Sequence, residues 1–206
     1  MLDRPPIHAA ASPSTPDFRS FLSNCLRNPW RTGAVAPSSR ALAKAMARRV
    51  LAYGTGTIVE LGPGTGAITA ALLDLGIPRK RLYLVEQSPE FASLLRTRFP
   101  GIRIVEGDAL EFPDHAKRDG VEDVGAIVSG LPLRLISHEA CAAILSRSFG
   151  MMGNTGAFVQ FTYNHRPPVQ PSLIASLGLV ARNVGYVWLN FPPATVWEFR
   201  RAALSR

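Results

Sequence analysis

A chain of 206 residues with 47% hydrophobic side chains suits one soluble α/β domain with a sizeable core. Its formal charge of +8 points to an anionic partner, which could be nucleic acid, an anionic membrane surface or a phosphate-bearing substrate. Two cysteines, Cys25 and Cys141, are too few for a disulfide framework, and no apolar run of about 18 residues could span a membrane, so a cytoplasmic protein with at most peripheral membrane contact is expected.

The first 16 residues, rich in Pro, Ala and Ser, read as a tail. A helix is predicted next, because Phe18, Phe21, Leu22, Cys25 and Leu26 recur at i, i+3, i+4, i+7 and i+8 before Pro29. Its two phenylalanines, the following Trp30 and the flanking Arg19, Arg27 and Arg31 suit an interfacial helix lying on anionic lipid, although a core-capping helix has the same pattern. A second helix is expected from Ser38 or Ser39 to Leu51, with serine as its N-cap.

From residue 54 the pattern alternates. Strands are predicted at "TIVELG", "RLYLVEQ", "IRIVEGD", "VGAIVSG" and "GAFVQFTYN". Helices are predicted at "GAITAALLDLG", "PEFASLLRTRF", "HEACAAILSRSFG" and, after a proline-rich loop, "SLIASLGLVA". Two closing strands, "NVGYVWLNF" and "ATVWEFRRA", flank Pro192-Pro193. The alternation implies an α/β, Rossmann-like, doubly wound and mostly parallel seven-stranded sheet, with an antiparallel strand in the C-terminal hairpin. Residues 1–16, 17–53 and 54–206 are expected to act as tail, N-terminal helices and main domain.

The strongest chemical signal is "VELGPGTGAIT", residues 59–69. Glu60 closes a strand, Gly62, Gly64 and Gly66 follow at alternate positions, and a helix begins. Glycines there let a ligand approach the backbone and the free N–H groups of a helix start. Two further acids close the next two strands. Glu86 sits about twenty residues beyond the glycine turn, where an acid can take both ribose hydroxyls, and Asp108 closes the third strand. The spacing Glu-x-Gly-x-Gly-x-Gly resembles motif I of the Rossmann-like S-adenosylmethionine-dependent methyltransferases. That resemblance implies S-adenosylmethionine as cofactor. Its site would include Glu60, Gly62, Gly64 and Gly66, Glu86 and Gln87, Asp108 and Ala109 toward the adenine, and Ser129, Gly130 and Leu131 near the transferred methyl.

"SGLPL", residues 129–133, resembles motif IV of these methyltransferases, and the resemblance implies a small, non-aromatic wall at residues 129–133 beside the transferred methyl and its acceptor. Enzymes that act on adenine carry an aromatic where this chain has Leu133, and a leucine offers no face for stacking a base. Together with "NPWRTGAVAPSSRALAKAMA" and "QFTYN", the chain resembles the small soluble-type bacterial phosphatidylethanolamine N-methyltransferases over about residues 17–203. The resemblance implies successive methylation of a lipid head-group amine toward phosphatidylcholine, by in-line displacement. It implies that Phe18, Phe21, Leu22, Leu26 and Trp30 contact the inner face of the membrane. Tyr163 would orient the amine and His165 would accept its proton, while Arg31, Ser38, Ser39, Arg40, Pro132 and Arg166 would line the lipid site. No metal is expected, and nucleic acid is not the expected partner. The alternatives are a ribosomal RNA adenine dimethyltransferase, for which the chain looks short of the extra RNA-binding domain, another small-molecule methyltransferase, and a non-catalytic cofactor-binding or membrane-associated module.

Overall fold

The computed structural model describes residues 39–203. The expected helix over residues 17–28, with Phe18, Phe21, Leu22 and Leu26, and the residues Trp30, Arg31 and Ser38 lie outside the described residues.

Helix α1 (Arg40–Val50) starts on Ser39, whose Oγ accepts from the Leu42 N–H at 3.2 Å, the serine cap that the sequence indicates. It buries Leu42, Ala43, Met46, Ala47 and Val50, one helical face, against the sheet. Strand β1 (Thr57–Leu61), helix α2 (Ala67–Asp74), strand β2 (Leu82–Glu86), helix α3 (Pro89–Arg98) and strand β3 (Arg103–Glu106) follow in alternation. Then come helix α4 (Phe112–Arg118), strand β4 (Val124–Ser129), helix α5 (His138–Met152) and strand β5 (Ala157–Thr162). Helix α6 (Pro171–Ser176) leads to the hairpin of β6 (Leu179–Val187) and β7 (Ala194–Arg201).

The strands form one seven-stranded sheet in the order β3-β2-β1-β4-β5-β7-β6. Neighbours from β3 to β5 are parallel, and β7 is antiparallel to both β5 and β6. This is the doubly wound, mostly parallel sheet with an antiparallel hairpin strand that the alternation predicts. The chain order reverses between β1 and β4, so the ligand crevice is expected outside the carboxyl ends of those strands.

Helices cover both faces, and the central strands are therefore apolar on both sides. One core gathers Val59, Leu61, Tyr83, Val85, Phe112, Ile127, Leu145, Phe158 and Phe199. The other gathers Leu42, Met46, Ile58, Leu72, Leu84, Leu95, Ala126, Val128 and Val196. Buried Glu198 of β7 takes hydrogen bonds from Arg49 and Tyr53, which fastens the α1 end to the hairpin.

Two readings of the sequence are corrected. Helix α4 is absent from the predicted elements: it has seven residues, a proline in its first turn and only Phe112, Pro113 and Ala116 buried. The helix predicted over "SLIASLGLVA" ends at Ser176. Gly178 turns the chain at φ +63°, and Leu179–Ala181 pair with β7 as the start of β6. The apolar run is continuous there, and only the left-handed glycine separates helix from strand.

Candidate active site

The carboxyl ends of β1, β2, β3 and β4 come together, and the predicted acids and glycines meet there. Gly62, Gly64 and Gly66 have φ of +66°, +56° and +81°, conformations that L side chains rarely adopt. A Cβ on Gly66 would strike the Phe99 ring, so this glycine lets α2 pack on α3. A Cβ on Gly64 would meet nothing within 4 Å. Open space therefore lies in front of Gly64, as a backbone cradle for a ligand requires.

Glu86 holds the turn. Its Oε2 accepts from the Gly64 N–H at 2.9 Å and its Oε1 from the Ser88 N–H at 2.9 Å. Burial pushes its carboxyl above the usual carboxylate range, opposed by the backbone N–H groups of Ser88, Gly64 and Gln87. Asp108 accepts from the Leu110 N–H at 2.8 Å and from Gln87 Nε2 at 3.3 Å, which brings the ends of β2 and β3 together. Ala109 is buried beneath them, and Gln87 Oε1 is buried without a hydrogen-bond partner.

Glu60 is wholly enclosed. Its Oε2 accepts from Thr69 Oγ1 at 2.6 Å, and its Oε1 has no partner. Burial raises its pKa to about 7, the Thr69 hydrogen bonds lower it, and nearby Glu86 adds a smaller upward push. The protonated form thus favours the fold fully below the ordinary value of 4.5, and that benefit is lost as pH rises through about 7. Glu60→Gln removes the dependence. Its gain in thermal stability over the parent should be near zero at pH 4.5 and reach about 3 kcal/mol by pH 8, read from paired unfolding curves of the cofactor-free protein. Parallel pH profiles would show that the carboxyl is not protonated by burial.

The "SGLPL" stretch leaves β4 against the glycine turn. Gly130 N–H donates to Leu61 O at 2.8 Å, and a Cβ on Gly130 would fall on the Gly62 carbonyl oxygen. The sequence reading treats residues 129–133 as one acceptor wall; the structure divides them. Ser129, Leu131 and Leu133 are turned inward, with 0%, 3% and 3% exposure, and only Gly130 and Pro132 stay partly open. Leu133 belongs to the core, where Cys141 Sγ donates to its carbonyl. Gln160 of β5, which sequence reasoning missed, braces the turn: its Nε2 donates to Leu131 O at 2.9 Å, while its buried Oε1 has no partner.

Tyr163 follows β5 and packs edge-to-face on Phe161, with ring centroids 5.3 Å apart. Burial pushes its hydroxyl up to about 12, partly offset by Asn190, so it remains a neutral hydrogen-bonding group. His165 stacks on Tyr186 of β6 at 5.2 Å, towards the sheet edge rather than towards β4. Arg166 and Arg40 are exposed, and the Arg166 N–H donates to Asn164 Oδ1 at 3.0 Å. Ser39 Oγ is engaged as the α1 cap, and its N–H donates to Asn190 Oδ1 at 3.0 Å. Asn190 is the second residue that sequence reasoning missed. Neither it nor Gln160 has a local signal, because the partners that set their roles, Ser39 and Leu131, lie 151 and 29 residues away in the chain.

Sheet order, the left-handed glycine turn and the three strand-end acids define a class I methyltransferase, whose cofactor is S-adenosylmethionine. The residues fit that cofactor: the open cradle at Gly64, the Glu86 carboxylate behind it and the unpartnered Gln87 oxygen offer the contacts a nucleoside needs. Solved structures agree on the fold. Magnesium protoporphyrin IX methyltransferase from Synechocystis with bound S-adenosylmethionine superposes with TM-score 0.65 at 10% identity, over 93% of this chain and 100% of that one. The 1,6-didemethyltoxoflavin-N1-methyltransferase of Burkholderia thailandensis, with bound S-adenosylhomocysteine, gives 0.64 at 17% identity, over 90% and 87% of the two chains. No protein-family model matches the chain.

In sequence, the chain is 32% identical over 149 residues to ornithine lipid N-methyltransferase of Singulisphaera acidiphila, covering 71% of this chain and 78% of that one. Ribosomal RNA small subunit methyltransferase A of Marinobacter nauticus matches at 39% over 85 residues, but these span only 26% of that enzyme. The chain belongs to the S-adenosylmethionine-dependent methyltransferases, in the same family as the Singulisphaera lipid N-methyltransferase.

Proposed function

We propose that this methyltransferase acts on the primary amine of a membrane lipid head group, phosphatidylethanolamine first, adding methyl groups in succession toward phosphatidylcholine. The observation that carries the reading is the relative named for lipid N-methylation, matched over most of its length. The ornithine lipid in that relative's name also presents an amine at a bilayer surface, so it is the second acceptor to test. The protein would then work at the inner face of the membrane, with residues 17–53 covering the cofactor and meeting lipid.

S-adenosylmethionine supplies an electrophilic methyl on a sulfonium. Glu86 would hold the ribose hydroxyls, Asp108 and Gln87 the adenine end, and the glycine turn the amino-acid end. Gly130 and Pro132, the partly open residues of the strand exit, would border the amine. The neutral Tyr163 hydroxyl would orient it, with Asn190 fixing the phenol. Arg40 and Arg166, both exposed, are candidate partners for the lipid phosphate, and the amine proton would leave to water, His165 being turned towards β6. Holding the two reactants in line and excluding water would supply much of the acceleration.

The test is transfer of labelled methyl from S-adenosylmethionine to vesicles of phosphatidylethanolamine, to vesicles of ornithine lipid, and to ribosomal RNA. Label is expected in phosphatidylethanolamine, with mono-, di- and trimethylated products appearing in turn. Label in RNA alone would overturn the reading.

A further inference from the structure

The turn between β6 and β7 carries an apolar face that the described fold leaves in water. Trp188, Leu189 and Phe191 are 76%, 86% and 92% exposed. Three adjacent large apolar side chains on a surface mark an interaction site more often than chance exposure. The turn is also braced from within. Asn190, between them in sequence, is buried; it donates to Pro192 O at 2.7 Å and accepts from the Ser39 N–H. Behind the tip, Trp188 meets Tyr186 edge-to-face at 4.5 Å, and Tyr186 stacks on His165. A line of rings thus runs from the tip to the loop that follows β5.

Topology fixes which way the tip faces. Thr195 of β7 lies opposite Thr162 at the carboxyl end of β5, so the turn projects from the same sheet edge as the glycine turn, Glu86 and Ser129. Charge says what it faces. The chain has 15 acidic residues, yet none falls between Asp17 and Glu60 or between Glu139 and Glu198. The tip, the loop after β5 and the start of α1 all come from these two acid-free stretches. Arg40 follows the serine bonded to Asn190, Arg166 follows the histidine stacked on Tyr186, and both are exposed. An exposed indole and phenyl ring with two exposed arginines on the neighbouring segments, and no carboxylate from those segments, complement an anionic bilayer surface.

We propose that Trp188, Leu189 and Phe191 are a lipid-inserting tip that docks the open edge of the active site onto an anionic membrane. The proposal rests on the lipid-acceptor reading. It adds that membrane contact is made by the methyltransferase domain itself, beside the acceptor site.

The test compares the full chain with its Trp188→Ala, Leu189→Ser, Phe191→Ser triple variant. In flotation with vesicles of phosphatidylglycerol and phosphatidylethanolamine, the variant should partition about tenfold or more weakly. Its affinity for S-adenosylmethionine, by calorimetry, and its methylation of phosphatidylethanolamine in detergent micelles should stay within about threefold of the parent. In a Trp30→Phe, Trp197→Phe background, where Trp188 is the one remaining indole, brominated lipid should quench its emission. Unchanged flotation of the triple variant overturns the proposal. So does Trp188 emission already blue-shifted without vesicles and untouched by brominated lipid, which would mean that residues 17–38 of the chain cover the tip. A dimer in sedimentation that the triple variant abolishes would assign the tip to a second copy, and overturns it too. Flotation reads the tip whatever the acceptor is, whereas wild-type protein that leaves micellar lipid unlabelled removes the acceptor reading alone.

Discussion

Glu86→Ala should weaken S-adenosylmethionine binding by about 100-fold or more, measured by titration calorimetry. The carboxylate takes two backbone N–H groups, from Gly64 and Ser88, at 2.9 Å each. Hydrogen bonds to a charged group are worth about 1.5–3 kcal/mol apiece, and each 1.4 kcal/mol is about tenfold in affinity. Alanine leaves Gly64 N–H without its acceptor, releases the glycine turn and removes the proposed ribose contact. Glu86→Gln keeps one oxygen acceptor and the shape, so about a tenfold loss is expected. The ordering Glu, Gln, Ala separates a carboxylate that binds from one that only fills space. Affinity within about threefold in both variants would contradict the role.

Gly130→Ala should lower kcat/KM for methyl transfer by about 100-fold or more and lower the melting temperature as well. Its Cβ would enter the Gly62 carbonyl oxygen, inside the 3.0 Å that real Cβ atoms do not breach, and a backbone atom there cannot swing aside. The strand exit and the glycine turn would be pushed apart, and the hydrogen bond from Gly130 N–H to Leu61 O would stretch with them. Displacements of about 1 Å between two reactants can cost about 100-fold. Gly150, inside α5, is the control: a Cβ there meets nothing within 4 Å, and Gly150→Ala should stabilise the helix by about 0.5–1 kcal/mol with activity unchanged. Full activity in Gly130→Ala would show that the two turns need not touch.

Much of this arrangement is legible in the sequence because its signals are local. The strand-end acids and the glycine turn are written in consecutive residues, and the alternation of short apolar runs with helical spacing gives the parallel sheet. Seven-residue α4 has too few apolar positions to show a period, and the α6–β6 boundary hides in one apolar run. Leu133 reads as part of a surface wall but alternates inward with Ser129 and Leu131, which a turn motif does not reveal. Gln160 and Asn190 act through partners far away in the chain, so only the folded sheet identifies them. The exposed tip at Trp188, Leu189 and Phe191 reads as ordinary strand sequence until the hairpin places its turn at the edge of the site.

The central claim, methyl transfer to a lipid amine, is tested most directly by the lipids of a bacterial host that makes phosphatidylethanolamine but no phosphatidylcholine. Expression of this chain should give monomethyl-, dimethyl- and trimethyl-phosphatidylethanolamine in lipid extracts, and Glu86→Ala should abolish them. An unchanged lipid profile, from cells whose purified protein binds S-adenosylmethionine, would contradict it.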